Sequence, residues 1–188
     1  MSLRRPFLAL AVAAMALTLS ACGEKHETVT FGETEGAYLD VGDLTYQVQI
    51  SRILNPADNE DQGYLVDLPA EEAELGDNEA WFAVFMLVQN LEEEPSEAAV
   101  DFEIHDTQEN VYTPVTIGED NVFAYRGGTV EPGDTLPEDD TAARNNPSVN
   151  GALLLFKMDN EAFDNRPLEL LIKQEGADPA EAGVDLDV

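Results

Sequence analysis

From residue 45 to 54 the chain reads TYQVQISRIL, with Tyr46, Val48 and Ile50 on one side of an alternation and Gln47, Gln49 and Ser51 on the other. A period of two is that of a strand with one buried face. AVDFEIHD repeats it, placing Val100, Phe102 and Ile104 inward and Asp101, Glu103 and His105 outward. Residues 81–88 differ. Trp81, Ala83, Phe85 and Leu87 form one apolar set and Phe82, Val84, Met86 and Val88 another, so this strand is expected to be central and covered on both faces. NVYTPV (residues 110–115) reads as a hairpin partner, GALLLFKM (151–158) and PLELLIKQ (167–174) as two late strands, and residues 123–125 as a further short one.

Turn-rich polar segments separate these runs. NPADNEDQG (55–63) reads as an acidic loop, and LPAEEAELGDN (68–78) as a connection holding at most one helical turn. Short strands with little helical period predict an all-β, immunoglobulin-like sandwich over residues 44–174. Residues 22–43 read as a polar tether with at most one early strand, and the acidic residues 175–188 as a disordered tail.

The first 21 residues carry a different signal. Arg4 and Arg5 precede an apolar run from Phe7 to Leu19, the layout of a secretory signal peptide and too short for a membrane-spanning helix. Leu19-Ser20-Ala21-Cys22 resembles a bacterial lipobox, and Cys22 is the chain's single cysteine. That resemblance implies cleavage before Cys22 and a thioether-linked diacylglycerol on its sulfur. Two or more acyl chains suffice for stable anchoring. The chain is therefore expected on the extracytoplasmic face of a bacterial membrane.

Charge narrows the partners. Without Arg4 and Arg5 the chain has seven basic residues against 39 acidic ones, a formal −32. Such a surface repels nucleic acid and anionic lipid, so no nucleic-acid partner is expected and the lipid at Cys22 is the membrane contact. With Cys22 lipidated, no thiol remains for a disulfide.

Candidate chemistry is sparse. Ser51, Ser96 and Ser148 show no nucleophile elbow, and there is no phosphate loop, CxxC or HExxH. Asp101, Glu103 and His105 share one strand face at the spacing of a metal-ligand row. Asp58, Glu60, Gln62 and Gly63 partly mimic a calcium loop that also holds Asp61, but Pro69 stands where the closing Glu belongs. A looser oxygen site using these residues, or Glu138, Asp139 and Asp140, would bind calcium no tighter than ~10⁻⁴–10⁻³ M. No other cofactor is expected.

The order of segments carries a family resemblance. An apolar strand ending in VQN, then DFEIHDTQENVYTPV, then the EPGD turn and LFKMDNEAFDNRPLEL, resembles a family of bacterial lipoproteins with an immunoglobulin-like domain of the telokin-like type, over residues 43–174. The resemblance implies an exported β-sandwich and brings no catalytic residue. The functional expectation is thus a lipid-anchored interaction module without catalysis, its partner an extracytoplasmic protein or envelope component. A calcium-dependent binding module is the second expectation and an exported hydrolase the third.

Overall fold

The computed structural model describes residues 27–187. Cys22 and the signal segment lie outside the described residues. In chain order the elements are β1 (Phe31–Gly32), β2 (Leu39–Val41), β3 (Leu44–Ile53), α1 (Asn59–Tyr64), β4 (Glu79–Gln89), β5 (Ser96–Ala98), β6 (Asp101–His105), β7 (Val111–Tyr112), β8 (Gly128–Val130), β9 (Thr135–Leu136), β10 (Ala152–Asp159), a 3-10 turn (Asn160–Asp164), β11 (Leu168–Lys173) and β12 (Glu181–Leu186). The fold is a β-sandwich. One sheet runs β1-β12-β11-β6-β7 and the other β10-β4-β3-β2, with β9 added to the end of β4 and β5 paired separately with β8.

The doubly apolar run becomes β4, central in its sheet between β3 and β10. Its two faces build two cores. Phe82, Val84, Met86 and Val88 point at the opposite sheet, where Phe102, Ile104, Leu170 and Val184 meet them. Trp81, Ala83 and Phe85 point outward beneath α1 and the long loops, packed with Leu54, Tyr64, Leu153 and Leu155. The Tyr64 ring meets Phe85 edge-on at 4.9 Å and Phe123 at 5.0 Å. The expected hairpin of β6 and β7 is present, pairing Ile104 with Tyr112.

The structure corrects the sequence reading at both ends. The expected disordered tail contains β12, which lies between β11 and β1 and buries Ala182, Val184 and Leu186. Its apolar residues alternate with Glu181, Asp185 and Asp187, so the acids that suggested disorder are only its solvent face. The expected tether likewise contains β1 and β2. Leu39 and Val41 are fully buried, and Gly32 lets the chain pass so close to Ala37 that an added Cβ would stand 2.7 Å from the Ala37 Cβ.

Three local readings also change. A β-bulge between Val48 and Ile50 reverses the alternation of β3, so Ile50 is 37% exposed and Ser51 only 6%. Ser51 is satisfied by donating its amide and hydroxyl to the Glu35 carboxylate. Val100 precedes β6 and is 76% exposed instead of facing the core. The acidic loop 55–63 holds most of α1, whose first turn is capped by the Asp58 carboxylate accepting from the Glu60 and Asp61 amides. Residues 123–125 shrink to one bridge between Ala124 and Leu153, and residues 68–78 stay a connection, with one helical turn closed by Ala73 N to Pro69 O and a tighter turn closed by Glu79 N to Gly76 O.

Candidate functional site

The sequence-predicted site residues fall in three places. Asp58, Glu60 and Asp61 line an open groove of about 480 Å³ beside β3, together with Ile50, Arg52 and Ile53. Strand β3 turns Arg52 toward the outer core, and α1 brings Asp61 over it. Arg52 Nη2 donates to Asp61 Oδ1 at 2.5 Å, and the Asn55 amide donates to Asp61 Oδ2 at 2.7 Å. Burial pushes the Asp61 carboxyl up, but the Arg52 and Asn55 hydrogen bonds outweigh it and hold the group below its ordinary range. Asp58 spends its Oδ1 as a helix cap. The groove thus presents a closed ion pair rather than converging free carboxylates.

Glu138, Asp139 and Asp140 form a second acidic cluster on the loop before β10. There Asp139 accepts from Arg144 Nε at 3.1 Å, and the other two are exposed. The third set lies on the outer face of the other sheet, as its alternation predicts. Register places Asp101 opposite Lys173 and Glu103 opposite Leu171. Glu103 Oε2 accepts from Lys173 Nζ at 2.6 Å and lies 2.7 Å from His105 Nε2. The Lys173 bond, then the His105 bond, hold the Glu103 carboxyl below its ordinary value, and the Lys173 ammonium is raised in turn. An ammonium stands here where a ligand row would need its cation. Among the described residues, no three His, Cys, Asp or Glu side chains converge closely enough to hold a metal ion.

The residues that carried the family resemblance have structural work. Asn90, ending VQN, is fully buried. Its Nδ2 donates to the carbonyls of Glu94 and Val130 at 2.8 Å each, and its Oδ1 accepts from the Glu92 amide. Asp106, in HDTQEN, accepts from the amides of Gln108 and Asn110 and from the side chains of Asn110 and Asn165. Asn121 ties the end of α1 by donating to the carbonyls of Tyr64 and Val66. Two tyrosines clamp Ala99: its amide donates to the Tyr46 hydroxyl at 2.7 Å, and its carbonyl accepts from the Tyr125 hydroxyl at 2.8 Å. Burial pushes the Tyr46 phenol up to about 12, its bond with Ala99 opposing the shift. Sequence reasoning passed over these hubs. The available signal was an Asn or Asp at a strand end followed by turn residues, the usual setting of a side chain that replaces a lost ladder bond.

Known proteins match at the level of fold. No family model matches the chain, and neither does any curated protein. Among solved structures, the yjhA protein of Bacillus subtilis is similar with a TM-score of 0.54 at 13% identity, over 82% of this chain and 99% of that one. More distant are ycdA, a candidate lipoprotein of Bacillus subtilis (TM-score 0.47, 13% identity, 86% of this chain and 39% of that one), and an uncharacterized β-sandwich protein of Clostridium difficile (TM-score 0.44, 10% identity, 87% and 99%). At these identities the likeness is one of architecture: the chain is an all-β sandwich of the kind found in yjhA.

Proposed function

We propose that this protein is a lipid-anchored interaction module on the extracytoplasmic face of a bacterial membrane, and that it works without catalysis. The observation that carries the reading is how its polar groups are used. Asp61 pairs with Arg52, Glu103 with Lys173 and His105, and Asp106 with the Asn110 and Asn165 side chains. A general base or nucleophile needs a free lone pair aimed at a position that substrate can occupy. These groups are instead turned on one another, which supports a role for the sandwich as a presented surface. The anchor rests on the lipobox-like sequence ending at Cys22. Cross-linking on intact cells, followed by isolation of this chain, tests the module: a reproducible extracytoplasmic partner is expected, and recovery of the chain alone at every cross-linker length would overturn it. The anchor is tested by fatty-acid labelling, which Cys22→Ala should abolish while leaving a longer precursor.

A further inference from the structure

The two outer faces of the sandwich differ in chemistry. Outward positions of β6, β11 and β12 are Asp101, Glu103, His105, Glu169, Lys173, Glu181 and Asp185, a charged lattice broken by Leu171 and Gly183. On the outer face of the other sheet, α1 and the long loops cover Trp81, Ala83 and Phe85. At its far end, β3 contributes Thr45, Gln47 and Gln49, β4 contributes Gln89 and a buried Leu87 opposite Gln47, and β9 contributes Thr135 opposite Gln89. Tyr38 flanks them, just before β2. It lies between Ala37 and Leu39, which both pack inward, and is 55% exposed. Asp40 is the one acid among these positions. Its carboxylate accepts from the Val29 amide at 2.9 Å and the Thr45 hydroxyl at 3.3 Å.

A stretch of amides and hydroxyls beside an exposed aromatic ring is unusual in a chain with 39 acids. The carboxamides are partly organised: Gln47 Nε2 donates to the Gly36 carbonyl, and Gln49 Nε2 donates to Gln47 Oε1. Gln89, half-buried at the end of β4, carries both a donor and an acceptor on its side-chain carboxamide. A cationic partner would gain more at the acidic lattice on the other sheet. A second copy would bring another strongly negative surface. A hydroxyl-rich neutral chain suits this face best, because each hydroxyl both donates and accepts, as a carboxamide does, and the C–H side of a sugar ring packs flat on an aromatic ring.

We infer that the Tyr38–Gln47–Gln49–Gln89 face binds a neutral polysaccharide, an inference that rests on the interaction-module reading and names its partner class. The test is native affinity electrophoresis of the detergent-solubilised full chain in gels cast with dextran, laminarin, galactomannan or hydroxyethyl cellulose, with polygalacturonate as the charged control. Retardation by at least one neutral polymer is expected. Tyr38→Ala and Gln89→Ala should each weaken it at least tenfold with the thermal midpoint unchanged, whereas Glu169→Gln on the opposite sheet should bind as wild type. If no neutral gel retards the chain, if polygalacturonate retards it equally, or if both variants bind as wild type, the inference is overturned while the interaction-module reading stands on its cross-linking test. New reducing ends in the retarding polymer would overturn the non-catalytic reading, and the inference with it.

Discussion

The Arg52 guanidinium and the Asp61 carboxylate meet at 2.5 Å on the outer side of β3, with Asp61, on α1, almost fully buried. The pair joins a helix to a strand, and removing one partner strands the other. Arg52→Ala leaves a buried carboxylate with only the Asn55 amide. It should lower unfolding free energy by about 2–3 kcal/mol in urea titrations. Arg52→Lys should recover only part of the loss, since the planar guanidinium also lies over the Tyr64 ring, 5.7 Å from its centroid.

Acid should destabilise the domain through the same residue and its counterparts. Asp61, Glu103 and Asp106 all have carboxyls held below their ordinary values. A depressed folded pKa gives stability that is present above the unfolded value, near 4, and lost as pH falls through the folded value. Unfolding free energy should therefore drop steeply below about pH 4. Asp106→Asn should flatten part of that slope, as followed by circular dichroism.

Residues 180–188 should be indispensable. Deleting them removes a strand paired on both sides and strips Val184 and Leu186 from the core. Each such side chain contributes about 1.5–3 kcal/mol, against a typical total of about 5–15 kcal/mol. The truncated chain should lose its cooperative thermal transition. A disordered tail would have been removable with no effect on the melting curve.

Asn90→Ala should cost about 2–3 kcal/mol, because it leaves the carbonyls of Glu94 and Val130 without their buried donor. Asn90→Asp should do no better, since a carboxylate cannot donate to either carbonyl. Equilibrium denaturation separates this from Leu91→Ala, which alters an exposed neighbour and should be near neutral.

Salt should raise the thermal midpoint. Nine bases against 39 acids leave repulsion dominant, and salt screens it over a Debye length of ~8 Å at physiological strength. Calcium and magnesium at matched ionic strength should act alike in differential scanning calorimetry. A specific advantage for millimolar calcium would mark an oxygen-ligand site, with Asp58, Asp139 and Asp140 the first residues to replace.

Alternation made β3, β6 and β11 legible, because half-buried strands write their period into the chain. Strands β4 and β10 were visible as continuous apolar runs, and the doubly apolar run correctly marked the centre of a sheet. Strand β12 was hidden by composition: its outward acids look like a tail until Ala182, Val184 and Leu186 are seen to share one side. The bulge at Gln49 was invisible because one extra residue leaves no mark before register is known. The outward row Asp101, Glu103 and His105 was legible as a row, but Lys173 reaches Glu103 from 70 positions away, through pairing that periodicity does not report. Arg52 and Asp61 stayed separate for the same reason, on a strand and a helix whose apposition depends on the outer core.

The placement of β12 also sets an order of events during biogenesis. The first strand of the domain pairs in parallel with the last, and that last strand is interior to its sheet. A chain made from its N-terminus can complete the sheet that holds β1 and β12 only after residue 186 has emerged, so the long-range pairing comes at the end. Until then one edge of β11 lacks its ladder partner, and a prematurely terminated chain displays an open edge in place of a finished surface.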